Sequence, residues 1–129
     1  MIVPDTSVWI DRIRGIASPA VLRLDLLIDR ETILVGDIVL LEILQGARDK
    51  RHAATLQRML FGFQTVAMLD AEIAVRAAMN YRRLRALGHT PRRTTDLIIG
   101  TFCIERGNRL LHSDRDFTPM VEHLGLQLA

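Results

Sequence analysis

The sequence predicts an α/β fold, specifically a three-layer α/β/α sandwich around a short, mostly parallel central sheet. Apolar runs of four or five residues alternate along the chain with longer segments of helical periodicity. Short strands separated by helices form parallel sheets that carry helices on both faces. The 129 residues, 49% of them hydrophobic, are enough for one core, and no repeat or linker divides them. We therefore expect a single domain over residues 1–129.

The first half of the chain predicts two strands and three helices. The helix in "SPAVLRLDLLIDR" has the clearest start, because Ser18 can cap it and Pro19 suits the first helical position. Pro4 should lie at the very end of the first strand, since proline cannot donate a hydrogen bond to a sheet. In chain order, the segments are the strand "MIVPD", the helix "TSVWIDRIR" closed by Gly15, the helix after Ser18, the strand "TILVG" and the apolar helix "DIVLLEILQGA".

The second half alternates in the same way. Asp49 should open a helix that runs to about Phe61, and Asp70 should cap a long helix that Gly88 stops. The helix "TTDLIIGTFCIERG" should be capped by its threonines. The remaining segments are the strand "TVAML", the loop "HTPRR", the strand "RLLHS", one more short helix and a last strand, "LQLA".

Composition narrows the functional classes. Cys103 is the lone cysteine, so no intramolecular disulfide can form, and a role in core packing within a reducing compartment is expected. No apolar run approaches the roughly 18 residues of a membrane span, and no signal-peptide pattern is present, so we expect a soluble cytoplasmic protein without a membrane partner. Sixteen of the seventeen basic residues are arginine, yet the net charge is only +2. This balance permits a nucleic-acid partner without requiring one.

Three acids occupy positions that allow two interpretations each. Asp5 and Asp114 directly follow predicted strands, where ligand sites of parallel α/β sheets lie. Helix capping explains either residue equally well when it is taken alone. Asp96 lies in the first turn of an apolar helix, where favourable interaction with the helix dipole, worth about 0.3 to 1 kcal/mol, is the ordinary explanation.

Glu42 is harder to explain by local structure. Its helix is apolar nearly all round, which predicts a largely buried helix. A buried carboxylate without a partner costs several kcal/mol or takes up a proton, so Glu42 implies a nearby arginine or metal ion. A buried ion pair is the structural alternative. If these four acids converge, a hard divalent cation is the natural partner of an all-oxygen cluster.

A family resemblance supports that convergence. The segments "IVPDTSVWID", "GDIVLLEILQGA", "TTDLIIGTFCIERG" and "LLHSDRDF" together resemble the four acidic motifs of PIN-domain ribonucleases, specifically the VapC-type toxins of toxin–antitoxin pairs. The resemblance covers essentially the whole chain and implies a PIN-like fold. It implies that the metal-binding acids are Asp5, Glu42, Asp96 and Asp114, and it adds Asp116 as a fifth catalytic candidate. Thr6 and Ser113 match supporting hydroxyl positions.

The resemblance also implies an activity and partners. It implies a Mg²⁺- or Mn²⁺-dependent endoribonuclease that uses water as nucleophile and forms no covalent intermediate. It further implies a homodimer inhibited by a cognate antitoxin, whose C-terminal segment crosses the active-site groove. An RNA substrate would need positive charge beside the acids. Arg92 and Arg93, which precede Asp96, are predicted to contact the RNA backbone, with a solvated surface as the alternative, and Arg12 and Arg14 are weaker candidates.

Two rival functions were weighed. A phosphatase of the haloacid dehalogenase type requires an aspartate two residues after Asp5, where this chain has Ser7, and a suitably placed lysine, whereas Lys50 lies at a polar helix start. The other rival is a PIN-like module that binds RNA or protein without cleaving. Such a module would be expected to have lost one or more of the acids, and this sequence keeps all of them.

Overall fold

The computed structural model describes residues 1–129 and contains one short parallel sheet. Strand β1 pairs with β4 and β2 with β3, and a bridge between Ile2 and Ile33 joins β1 to β2. The strand order is therefore β3–β2–β1–β4, with every pairing parallel, which confirms the predicted sheet. The strands are β1 (Ile2–Pro4), β2 (Leu34–Gly36), β3 (Gln64–Val66) and β4 (Arg109–Leu111).

Helices cover both faces of this sheet. The chain moves in one direction from β1 to β3 and then returns past β1 to form β4, so right-handed crossovers place α1 to α4 on one face and α5 and α6 on the other. The predicted three-layer architecture is confirmed. The helices are α1 (Thr6–Ile13), α2 (Pro19–Leu27), α3 (Asp37–Gln45), α4 (Lys50–Leu60), α5 (Ala71–Ala86), α6 (Thr94–Arg106) and α7 (Thr118–Leu124), with a 3₁₀ turn at Arg115–Phe117.

Local sequence signals explain most helix boundaries. The side chains of Ser18, Asp49 and Asp70 each accept a hydrogen bond from a backbone N–H in the first turn of the helix that follows, as predicted. Gly88 has a left-handed φ of 86° just after α5, which ends that helix. None of the helices combines the length and the hydropathy needed to cross a bilayer.

The core lies between the sheet and both helical layers. Val3 and Val35 in the strands and Trp9 in α1 are fully buried. Cys103 is also buried, and burial, with a smaller contribution from Asp5, raises the pKa of its thiol to about 12. The expectation that this cysteine fills the core is therefore confirmed.

All the predicted strands are shorter than expected, and two of them differ most from the prediction. The segment "TVAML" leaves the sheet after Val66, because the backbone N–H of Met68 donates to Asp37 Oδ1 rather than to a neighbouring strand. The C-terminal "LQLA" forms a single bridge, between Leu128 and Leu110, instead of a strand. Pro4 is the last residue of β1, as predicted.

Two helix predictions are wrong. Helix α3 is not buried all round, because it packs mainly against α1, α4 and β2: Val39 and Ile43 are buried, whereas Leu41 is 58% exposed. The threonines do not cap α6, whose N-cap residue is Arg93 and has no side-chain capping bond. Instead, α6 is the deeply buried helix, with an unbroken buried segment over residues 96–103.

Candidate metal centre

The sheet topology brings Asp5 and Asp114 to the same edge. Strands β1 and β4 are neighbours, and the chain connections leaving the sheet diverge between them, which is where ligand sites form in parallel α/β folds. The backbone N–H of Asp5 donates to the carbonyl of Leu111 at 2.8 Å, so Asp5 lies at the carboxyl end of β1 beside the end of β4. Asp114 follows β4 by three residues.

Asp5 does not act as a helix cap. It precedes α1, but its side chain makes no capping hydrogen bond. Its carboxylate is buried; Oδ2 accepts a 2.8 Å bond from the Ser7 hydroxyl, while Oδ1 has no hydrogen-bond partner. Burial raises the pKa of Asp5, and the Ser7 hydroxyl, together with the nearby backbone N–H groups of Thr6 and Ser7, offsets this effect only in part. The capping interpretation is wrong for this residue.

Asp96 enters the same region from the first turn of α6. It is 5% exposed, and its Oδ2 atom is buried without a hydrogen-bond partner. Burial is the main cause that raises the pKa of Asp96 to about 6, and the nearby negative charges of Asp5, Asp114 and Glu42 act in the same direction. The Arg93 guanidinium opposes this shift. Interaction with the helix dipole alone does not account for a carboxylate in this environment.

Asp114 and Asp116 form the third part of the centre. Asp114 Oδ1 accepts a 2.9 Å bond from the backbone N–H of Asp116, so Asp114 does cap the 3₁₀ turn. His112 orients this segment, since its Nδ1 accepts a 3.1 Å bond from the backbone N–H of Asp114. The turn places Asp116 beside Asp114. One carboxylate oxygen from each of Asp96, Asp114 and Asp116 lies within 4.8 Å of the other two.

Glu42 lies beside this trio rather than within it. Its side chain is 14% exposed, and its Oε1 atom accepts a 2.8 Å bond from the Thr6 hydroxyl. Its Oε2 atom accepts a longer bond of 3.5 Å from the Thr95 hydroxyl and faces Arg93 Nη1 at 3.8 Å. Glu42 therefore has a cationic neighbour, as its position in the sequence required.

The donor set fits a hard divalent cation. All five acids present carboxylate oxygens, which Mg²⁺ and Mn²⁺ prefer. Asp5 and Asp96 each bury an oxygen that accepts no hydrogen bond, and the one cationic group near the Asp96 oxygen is Arg93 Nε at 3.7 Å. Such an atom is costly unless a cation compensates it.

A polar groove opens over the centre. It has a volume of about 720 Å³ and no hydrophobic residue in its lining. The side chains of Arg92, Arg93 and Arg115 supply its positive charge. The other lining residues are Ser7, Ser113, Asp114 and Asp116.

The other two predicted basic residues lie elsewhere. Arg14 lines a separate cavity of about 440 Å³ that also reaches Glu42. Arg12 pairs with Asp25 at 3.0 Å and lines a third cavity together with Ile16 and Leu22, residues outside the acidic centre.

Sequence reasoning missed two hydroxyl residues. Ser7 bonds Asp5 and lies 3.4 Å from the Ser113 hydroxyl, and Thr95 bonds Glu42. Ser7 follows the first acid by two residues in the first turn of α1, and Thr95 directly precedes Asp96 in the first turn of α6. The sequence feature that could have identified Ser7 and Thr95 is that each lies within two residues of a candidate acid.

Comparison with known proteins places this chain in a family. The family model described as PIN domain matches residues 2–121. The chain therefore belongs to the PIN-domain family. Within it, the chain is similar to VapC ribonuclease Mb1587 of Mycobacterium bovis and to ribonuclease VapC11 of Mycobacterium tuberculosis. Each is 34% identical over 131 residues, covering 100% of this chain and 98% of the relative.

Solved structures show the same fold. The chain superposes with a TM-score of 0.80 on a chain of VapBC2 from Rickettsia felis, whose structure was solved bound to a DNA fragment from its promoter. The two chains are 20% identical, and the match covers 100% of this chain and 98% of that one. The chain also superposes on a chain of VapBC-1 from nontypeable Haemophilus influenzae with a TM-score of 0.77. The two chains are 17% identical, and the match covers 100% of this chain and 97% of that one.

Proposed function

We propose that this protein is a metal-dependent endoribonuclease toxin that hydrolyses RNA phosphodiester bonds and is held in check by a cognate antitoxin. The observation that carries this proposal is the convergence of Asp96, Asp114 and Asp116 within 4.8 Å at the edge of a PIN-domain sheet. The ribonuclease names of the full-length relatives support the same activity.

We assign the metal site to five acids: three whose spacing suits metal ligands and two that lie beside them. Asp96, Asp114 and Asp116 have the spacing of metal ligands, and Asp5 contributes its unpartnered oxygen or acts through electrostatics. Glu42 borders the centre and adds negative charge. Mg²⁺ or Mn²⁺ bound there would supply an activated water and stabilise charge on the leaving oxygen.

The surrounding residues orient the acids and the RNA. The hydroxyls of Ser7 and Thr6 fix one oxygen each of Asp5 and Glu42, so these carboxylates keep their direction. In the groove, the guanidinium groups of Arg92, Arg93 and Arg115 can bind the phosphate backbone on either side of the scissile bond.

The four predicted RNA-binding arginines are not equivalent in this proposal. Arg92 and Arg93 line the groove over the acids, and Ser113, whose hydroxyl lies 3.4 Å from that of Ser7, lines the same groove as a polar neighbour of the RNA path. Arg14 approaches from the cavity on the far side of Glu42. Arg12 is the weakest candidate, because Asp25 already engages its guanidinium.

We further propose an antitoxin partner and a simple organisation. The solved relatives are VapBC toxin–antitoxin assemblies, which supports a cognate antitoxin for this chain. The single sheet with one continuous core supports a one-domain protein over residues 1–129. A homodimer and a cytoplasmic location complete the proposal and rest on the family resemblance.

A non-cleaving binding module is the less favoured function. Such a module needs the groove but has no use for carboxylates with buried, unsatisfied oxygens, which are costly to fold. The presence of all five acids therefore favours the enzyme.

Incubation of RNA with the purified protein in Mg²⁺, Mn²⁺ or EDTA tests the proposal. The protein should cleave RNA only with metal, and Asp96→Asn should reduce cleavage by roughly a hundredfold or more, since an essential ligand is lost. Asp29→Asn, at an exposed acid outside the centre, is the matched control and should cleave normally. Binding without cleavage would favour the module, and cleavage in EDTA would reject the metal mechanism.

A further inference from the structure

Arg93 reaches from the protein surface across one buried and one partly buried carboxylate. Its Nη1 atom lies 3.8 Å from Glu42 Oε2, and its Nε atom lies 3.7 Å from Asp96 Oδ2. The Arg93 side chain is 55% exposed, whereas those of Glu42 and Asp96 are 14% and 7% exposed. The Arg93 guanidinium therefore lies close both to Glu42, which borders the three clustered aspartates, and to Asp96, which is one of those three.

These contacts are electrostatic rather than fixed by hydrogen bonds. Both distances exceed the usual 2.7 to 3.2 Å range of an N–H···O hydrogen bond. The Arg93 backbone is held at the start of α6, where its carbonyl accepts from Leu97 N–H, but its side chain makes no capping bond. The guanidinium can therefore leave the acids without breaking a directional contact.

The space that such a movement needs is already present. Arg93 lines the open groove above Asp114 and Asp116. Rotation of its side chain away from Glu42 and Asp96 would keep it in that groove, on the path assigned to RNA.

We propose that Arg93 is an internal cation that occupies the acidic centre before the metal ion binds and moves into the groove when the ion arrives. The inference rests on the metal centre of the proposed function and adds a residue that sets its affinity. A guanidinium and a divalent ion beside the same carboxylates repel each other, so occupancy by one opposes occupancy by the other. The ion must therefore displace a resident charge.

The displacement would couple metal binding to RNA binding. Once released from the acids, the Arg93 guanidinium is free to pair with a phosphate in the groove. When the binding of one ligand frees a protein group to contact a second ligand, each ligand strengthens the binding of the other. The centre would then hold its metal more tightly when RNA is present.

The chain supplies a matched control for this role. Arg92 is the preceding residue, carries the same charge and lines the same groove, yet it forms no ion pair with any acid. Arg115, although it lies between Asp114 and Asp116 in sequence, also forms no ion pair. Loss of Arg92 changes the overall field of the groove, whereas loss of Arg93 also removes the competitor.

Calorimetric titration of the RNA-free protein with Mn²⁺ tests the inference. Arg93→Ala should bind Mn²⁺ roughly threefold to tenfold more tightly than the parent, and Arg92→Ala should stay within about twofold, because charge interactions weaken steeply with distance and solvent. Arg93→Lys keeps a cation near the acids, so its affinity for Mn²⁺ should stay close to that of the parent. The three variants change two positions, 92 and 93, both of which are exposed, and circular dichroism checks that each variant is folded.

The outcomes separate this inference from the proposed function. Equal tightening in Arg92→Ala and Arg93→Ala, or weaker Mn²⁺ binding in Arg93→Ala, would overturn the competition while leaving the metal centre intact. If the parent protein binds no Mn²⁺, or binds it equally well after Asp96→Asn, the metal centre itself is wrong and the inference falls with it.

Discussion

Aspartates with the same local sequence context have different roles in this protein. Asp49, Asp70 and Asp5 each directly precede a helix. The first two accept hydrogen bonds from the backbone of the helix that follows, whereas Asp5 makes no capping bond and buries one oxygen without a partner. The difference arises from residues distant in sequence, since Asp5 shares its environment with Asp96 and Glu42. A local pattern therefore identifies Asp5 as a candidate but cannot decide its function.

The raised pKa of Asp96 predicts how stability depends on pH in the metal-free protein. The folded carboxyl titrates near pH 6 and the unfolded one near 3.8, so the folded state binds more protons between these values. The contribution of Asp96 to the free energy of unfolding should therefore fall as pH rises from about 4 to 6 and stay lower above pH 6. Asp96→Asn should remove this penalty and be more stable than the parent at pH 7.5, by on the order of 2 kcal/mol, with little difference at pH 4.

Urea unfolding in EDTA measures this effect. Asp29→Asn removes an exposed acid and should show no comparable gain at pH 7.5. A loss of stability in Asp96→Asn at that pH would show that Asp96 is held in a stabilising ion pair with Arg93 rather than in a repulsive cluster.

At the scale of elements, α6 and α7 set the spacing of the acids. Helix α6 carries Asp96 into the core, and α7 directly follows the 3₁₀ turn that carries Asp116. The two helices approach closely at Gly100, where a β-carbon would collide with the side chain of Met120. Met120 is buried, so it has little room to move aside. The glycine thus permits the contact that keeps Asp96 near the turn.

Replacement of Gly100 by valine should disturb both stability and the site. The added side chain overpacks the contact with Met120 and should lower the free energy of unfolding by about 1 to 3 kcal/mol. Ala78→Val, on the exposed side of α5, carries only the propensity cost of valine and should lower it by less than about 1 kcal/mol. Urea unfolding compares the two variants, and equal effects would mean that the α6–α7 contact is not tight.

At the scale of the whole molecule, the sequence predicted the layers better than the site. Strand and helix patterns, with caps such as Ser18 and Asp70, were enough to predict a parallel sheet covered on both faces. Those patterns do not contain the strand order, which places β1 beside β4 and brings Asp5 next to Asp114. The convergence of acids was therefore expected from the family resemblance rather than from periodicity.

The exposure of helix α3 is the main remaining difference between prediction and structure. An apolar run such as that of α3 does not reveal which of its faces is packed, so the exposure of Leu41 and the partial exposure of Glu42 were missed. Asp116 joins the trio because a capped 3₁₀ turn folds it back beside Asp114. The exposure of α3 depends on tertiary contacts that no local pattern encodes, whereas the position of Asp116, which the resemblance implied, follows from this local turn.

The most direct measurement of the central claim is an anomalous difference map from crystals soaked in Mn²⁺. The account predicts a peak within about 2.0 to 2.3 Å of carboxylate oxygens of Asp96, Asp114 and Asp116, because a bound cation offsets the repulsion among these three carboxylates. A map without a peak there, with the Arg93 guanidinium still between Glu42 and Asp96, would contradict it.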